Sequence, residues 1–149
     1  MAGNAVYDNA ILHMAIGEVT WNAADSDIRV ILNGNVAPTK TDAHWSDVST
    51  DELADATGNY TQCTMAIGTL TTAHVVSAVT HFESTATAWS GATFTAYYAS
   101  TCHGAAKTAA NPLLSYHNLG TQAVVAGTLT LTWANASGGV FTMTASAET

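Results

Sequence analysis

Residues 86–143 read ATAWSGATFTAYYASTCHGAAKTAANPLLSYHNLGTQAVVAGTLTLTWANASGGVFTM, and this stretch decides the fold. Small or hydroxylated residues alternate with large apolar ones through Thr93–Thr101 and again through Gly127–Trp133. A strand sends successive side chains to opposite faces, so the alternation predicts a sheet with one buried and one wet face. Four strands are expected: Thr93–Thr101, then Leu113–Leu119 after Pro112, then Gly127–Trp133, then a short closing strand over Gly139–Thr144. Cys102–Asn111, rich in small residues, reads as a loop. No catalytic constellation is embedded in the stretch, which points to a building block that works through its surface.

Towards the N-terminus the same signal recurs. Asp27–Asn33 alternates, with Ile28, Val30 and Leu32 on one face against Arg29 and Ile31 on the other. Gln62–Ile67 and Val75–Phe82 are expected as strands around a turn at Gly68–Thr72, and Glu18–Trp21 as a short extended piece. Asn22–Asp27 has turn composition. Asn4 is placed to cap a helix running to about Ile16, with Gly17 as its C′ residue and Tyr7, Ile11 and Met14 as its apolar stripe. From Val36 to Tyr60 the alternation lapses into an acidic, irregular connection carrying Pro38, Trp45, Asp47, Asp51 and Glu52, with a helical turn expected near Asp51–Ala56. A loop of that length in a compact domain is usually functional. About eight short strands with turns between them predict a mainly β chain. The expected architecture is one domain over 1–149, an antiparallel, jelly-roll-like β-sandwich. An N-terminal helix or arm (1–17) and the acidic loop (36–60) complete it.

Composition narrows the function classes. Only 9% of residues are charged although 48% are apolar, so Thr, Ser and Asn must carry the wet surface. Arg29, Lys40 and Lys107 are the whole basic complement against eleven carboxylates. Such a chain has no phosphate-neutralising patch, and nucleic acid is not expected as a partner. No apolar run reaches the ~20 residues of a membrane span, and Met1–Ala10 lacks the basic and apolar regions of a secretory signal. Cys63 and Cys102 form no recognisable framework and are expected as free, mostly buried thiols.

The usual chemistries find little support. His13, His44, His74, His81, His103 and His117 are scattered, without the spacing of a metal site. Asp25 and Asp27, and the group Asp42, Asp47, Asp51, Glu52 and Asp55, carry the oxygen ligands calcium uses, but the EF-hand pattern is missing and turn or loop roles fit better. There is no G-x-S-x-G elbow. No enzymatic activity, metal or cofactor is expected. Trp21, Trp89 and Trp133 read as core or interface anchors, whereas Trp45 stands in the acidic loop where a partner could bury it.

The order of motifs AIGEV, DSDIRVILNGN, HWSDVSTDELADATGNYT, ATAWSGATFTAYYAS, NPLLSYHNLGTQAVVAGTLTLTW and GGVFTMT resembles a group of small β-sandwich bacteriophage virion proteins. The resemblance spans nearly the whole chain. Arg29 keeps the basic residue of that group's first strand. Tyr97 stands where that group carries a basic residue, and Asn118-Leu119-Gly120 where it carries D-F-G; both changes remove charge, so the resemblance does not imply ionic contacts at these places. The resemblance implies a capsid decoration (cement) protein, made in the bacterial host cytoplasm and bound to the capsid exterior. A tail- or neck-associated role, or a carbohydrate-binding head-fibre module, is the alternative. The implied partners are the major capsid protein and further copies of the chain in a homo-oligomer. Tyr7, Ile11, Met14, Trp45, Asp47, Asp51 and Tyr97 are the candidate interface residues.

Overall fold

The computed structural model describes residues 4–21, 27–70, 74–76, 79–133 and 140–144. The fold is mainly β. In chain order the elements are β1 (Ala5–Val6), α1 (Ala10–Ala15), β2 (Ile28–Asn33), α2 (Trp45–Val48), β3 (His74–Val76), β4 (Val79–Phe82), β5 (Thr87–His103), β6 (Leu113–Leu131) and β7 (Phe141–Thr144). A four-stranded antiparallel sheet runs β1-β6-β5-β2, and a three-stranded one runs β3-β4-β7.

Two long strands dominate. Leu113–Leu119 and Gly127–Trp133, expected as separate strands, are joined into the 19-residue β6, which pairs along the 17-residue β5. Gly120 and Gly127 lie within the continuous strand, accommodated by irregularities. Gly91 and Gly120 lie at φ 63° and Ala126 at 48°, and the β5–β6 register shifts at Ser90/Ala92, Ala92/Phe94 and Ala96/Tyr98. Bulges of this kind bend and twist a ribbon without ending it. The bend is large. His117, near the start of β6, packs edge-on against Trp133, just past its end, with ring centroids 5.2 Å apart. A straight strand would hold them about 50 Å apart at ~3.3 Å per residue. The Trp133 indole N–H then donates to Thr87 Oγ1 at 3.1 Å, tying the returning end of β6 to the first residue of β5.

The core lies where this ribbon closes on β2. Ile28, Val30, Ile31 and Leu32 are all fully buried, so β2 is covered on both faces rather than having the one wet face expected. The edge of β2 away from β5 is closed as well, by the 51–53 and 65–67 segments. Gly34 N–H donates to Asp51 O at 2.7 Å, Leu53 N–H to Leu32 O at 2.9 Å, and Val30 N–H to Met65 O at 2.9 Å. Gln62–Ile67 is therefore a series of turns with one bridge at Ala66, not a strand. Gly58, at φ 52°, makes room for the neighbouring strand: a Cβ there would sit 1.9 Å from Thr93 O. Val75–Phe82 is not one strand but the β3–β4 pair, with His74 opposite His81. The turns expected at Asn22–Asp27 and Gly68–Thr72 fall largely outside the described residues.

The N-terminus differs most from expectation. Asn4 does not cap a helix; its side-chain oxygen accepts from the Asn118 backbone N–H at 2.9 Å. Ala5 and Val6 extend the sheet instead, opposite Tyr116 and Ser115, because the edge of β6 offers unpaired backbone groups. The helix begins at Ala10 with Asn9 before it. Gly17 closes it as expected, at φ 80°, where Glu18 N–H returns to His13 O and Gly17 N–H to Met14 O. That is the paired bonding of a Schellman end, which favours glycine for its left-handed backbone. Tyr7, placed between β1 and α1, drops into the core with its hydroxyl 2.9 Å from Ser100 Oγ and its ring against Tyr116. Burial pushes its phenol well above the usual range, so it stays protonated. Removing that hydroxyl by Tyr7→Phe is expected to cost about 1 kcal/mol, lowering the melting temperature by roughly 3 °C in a thermal melt.

Candidate interaction surface

The acidic segment is folded onto the sheet rather than standing off it. Its centre is Glu52, a carboxylate only 6% exposed. One oxygen accepts from the Tyr60 hydroxyl at 2.6 Å and the Cys63 backbone N–H at 2.7 Å, and the other from the Trp45 indole N–H at 2.6 Å. The Tyr60 hydroxyl in turn accepts from the Leu32 backbone N–H at 3.0 Å, linking the cluster to β2. Burial raises the Glu52 carboxyl above its ordinary range against the pull of those donors, and burial with the adjacent carboxylate raises the Tyr60 phenol further. Asp55 outside pairs with Lys107 at 3.0 Å, and the Lys107 ammonium lies 5.8 Å from the Trp45 ring centre. The helical turn expected near Asp51–Ala56 occurs earlier, as α2.

The structure separates the candidate contact residues. Tyr7 is a core residue, 1% exposed, and offers no surface. Trp45 is half-buried, held at its edge by Glu52 and beside Lys107, so it serves the segment's own packing. Asp47 caps α2: its carboxylate accepts from the Ala43 and His44 backbone N–H groups at 2.9 and 3.0 Å, which holds its pKa below the usual value. Asp51 is half-buried and joins β2 through its carbonyl. Tyr97 is half-exposed on β5 and Met14 half-buried against the core. Ile11 is 55% exposed.

Ile11 is not alone. Leu12 and Ile16 are 54% and 59% exposed, and with Ala15 they line the outer side of α1. Residues four apart share a helix face. The expected stripe is thus displaced: Ala10 and His13 face inward, and His13 Nδ1 lies 2.5 Å from a Glu18 carboxylate oxygen. Leu12 and Ile16 fall outside the expected stripe because that stripe is anchored on Tyr7, which lies before α1 and is buried independently of the helix face. A second exposed feature is the wet side of the ribbon. Ala88, Ser90, Thr93 and Thr95 of β5 and Ala123, Val125, Thr128 and Thr130 of β6 are exposed, and neither strand contains a charged residue. Val125, 82% exposed, lies next to the bulge at Ala126. Alternation had marked this face as wet; that it carries no charge is visible by inspection of the same residues.

The acidic side chains that suggested calcium are dispersed: Glu52 points inward, Asp47 caps α2, Asp42 accepts from Thr39, and Asp55 pairs with Lys107. Among the described residues no three His, Cys, Asp or Glu side chains are grouped to hold a metal ion. No protein-family model, curated protein or solved structure matches the chain.

Proposed function

We propose that the chain is a non-enzymatic bacteriophage virion protein, a capsid decoration protein that binds the assembled lattice from outside as a homo-oligomer. Its two sheets close into a jelly-roll-like β-sandwich, a reading supported by the bend that returns Trp133 to His117. The observation that carries the function is the exposed aliphatic face of α1, Ile11, Leu12 and Ile16. Clustered apolar surface on a soluble chain marks a place where another protein sits. The uncharged Thr/Ala face of β5–β6 suits flat, close-packed contact of the same kind. The motif order described above supplies the virion context.

The mechanism is thermodynamic. A protein that binds the assembled shell but not free subunits stabilises the shell by mass action. Many copies bound through an oligomer make each weak contact count. The test is copy number in purified particles, by quantitative mass spectrometry against the major capsid protein. A ratio near one, or a simple fraction of it, is expected. A handful of copies per particle would move the protein to the tail or neck, and none would sink the virion reading.

A carbohydrate-binding head-fibre role has one observation in its favour. A cleft of about 380 Å³ in the bend of the ribbon is lined by Asn4, Asn118, Gln122, Thr130 and Thr132, neutral groups suited to sugar hydroxyls. Glycan binding abolished by Gln122→Ala would favour it over the decoration role.

A further inference from the structure

Cys63 and Cys102 are both buried, at 1% and 0% exposure, and their Sγ atoms lie 3.3 Å apart. They are free thiols from different parts of the fold. Cys102 is on β5, opposite Arg29 of β2 and Leu113 of β6. Cys63 is in the turns after Tyr60, at φ 49°, with its backbone N–H bound to Glu52. The sulfurs need approach by only about 1.3 Å to reach the ~2.05 Å of a disulfide. The geometry points to an oxidisable dithiol: Cys63 and Cys102 close an intramolecular disulfide that locks the 61–67 turns to the sheet once the protein leaves a reducing cytoplasm.

The surroundings divide the roles. Asn111 directs its side-chain N–H at Cys63 Sγ from 3.7 Å. That amide is itself fixed, donating to Ala106 O at 2.8 Å and accepting from the Thr108 hydroxyl. Gly104 packs so closely that a Cβ there would fall 2.4 Å from Asn111 Oδ1. Hydrogen bonds from Cys102 and Asn111 lower the Cys63 thiol, whereas its bond to Cys63 and its burial raise the Cys102 thiol well above the ordinary value. Because Asn111 donates to its sulfur, Cys63 is the better-stabilised thiolate and so the attacking sulfur, with Cys102 the resolving one. Asn111 is a positioning residue.

A small oxidant of the peroxide class suits so enclosed a pair. The Cys63 thiolate attacks one oxygen of hydrogen peroxide, the O–O bond breaks, and hydroxide leaves, giving a sulfenic acid at Cys63. The Cys102 thiol, losing its proton, then attacks that sulfur. The S–O bond breaks, water leaves, and the S–S bond forms. In sum two thiols and one peroxide give one disulfide and two waters, with two electrons passing from sulfur to oxygen.

The experiment treats the full chain with hydrogen peroxide and digests it, without reduction, with a Glu-specific protease. Cleavage after Glu83 separates the two cysteines, whereas trypsin leaves both between Lys40 and Lys107. Expected are one linked peptide pair, two hydrogens lighter than its parts, and a monomer melting roughly 10 °C higher than the reduced protein. In Cys102→Ser, peroxide is expected to leave a dimedone-reactive sulfenic acid at Cys63. In Cys63→Ser, Cys102 is expected to stay unreactive over the same time. Asn111→Ala is expected to slow closure several-fold, with the linked product unchanged. Oxygen added to either sulfur of the unaltered chain without a link, links only between chains, or a linked chain that melts no higher would each overturn the assignment. So would equal reactivity of the two single variants when both keep the parent's cooperative thermal melt; where one does not, the linked peptide and the melt of the unaltered chain decide.

Discussion

Glu52→Ala is expected to cost about 3–5 kcal/mol of folding stability, read as a lower urea midpoint at constant slope. Three donors converge on this carboxylate, from Trp45, Tyr60 and the Cys63 backbone, and all three would lose their acceptor inside a packed region. A buried donor left without a partner costs roughly 1–3 kcal/mol, and partial entry of water keeps the sum below three full penalties. Against a total stability of ~5–15 kcal/mol the loss is large enough to unfold a measurable fraction near body temperature. Glu52→Gln should cost less, about 1–3 kcal/mol, because an amide keeps the volume and one acceptor but turns a second donor towards the Trp45 N–H or the Tyr60 hydroxyl. A Glu52→Ala variant as stable as the parent would show that the segment is held by its backbone bonds to β2 alone.

The same residue gives the stability a pH dependence of definite sign. Its folded-state pKa is raised by burial, so the folded form holds the proton more tightly than the unfolded one. Its contribution is fully present below the unfolded carboxyl value of ~4.3 and is lost as pH rises through the raised folded value. Asp47, lowered by the backbone N–H groups of Ala43 and His44, works in the opposite direction, but below ~pH 4. The difference in stability between parent and Glu52→Gln should therefore shift in the parent's disfavour as pH rises above ~4.3, while the Asp47 contribution cancels between them.

Alternation made the sheet legible. Thr93–Thr101 and Asp27–Asn33 lie within or over observed strands because their own side chains carry the in-and-out pattern. Gly17 was legible for a similar reason, since a left-handed C′ position is a local demand of the backbone. What the pattern could not show depends on groups distant in sequence. Ala5 and Val6 are extended because β6 presents an edge, and nothing in their own neighbourhood distinguishes that from a first helical turn. The continuity of β6 through Gly120 and Gly127 depends on the bulges it shares with β5. Glu52 read as one more loop carboxylate, yet it turns inward because Tyr60, Trp45 and Cys63 meet there. Of the candidate contact residues, Ile11 alone joins the exposed aliphatic face, whereas Trp45 packs within its own segment because Glu52 turns inward to accept its indole N–H.

That aliphatic face gives the prediction on which the proposed role turns. Ile11→Glu combined with Ile16→Glu alters two side chains more than half exposed in the isolated chain, so its folding stability should change by less than about 1 kcal/mol. Burying an aliphatic side chain of this size is worth roughly 1.5–3 kcal/mol, and a glutamate in its place adds the penalty of an unpaired charge in an apolar contact. The double variant should therefore bind particles stripped of the native protein at least about 100-fold more weakly, measured as copies retained per particle across a titration. Trp45→Ala should behave the other way, losing folding stability because Lys107 and Glu52 lose their neighbour, with particle affinity unchanged when corrected for the folded fraction. The two variants separate a surface that holds a partner from a segment that holds the fold. Unaltered occupancy by the Ile11/Ile16 variant would remove α1 from the lattice contact and leave the uncharged β5–β6 face as the surface to alter next, with Thr128→Lys as the corresponding change.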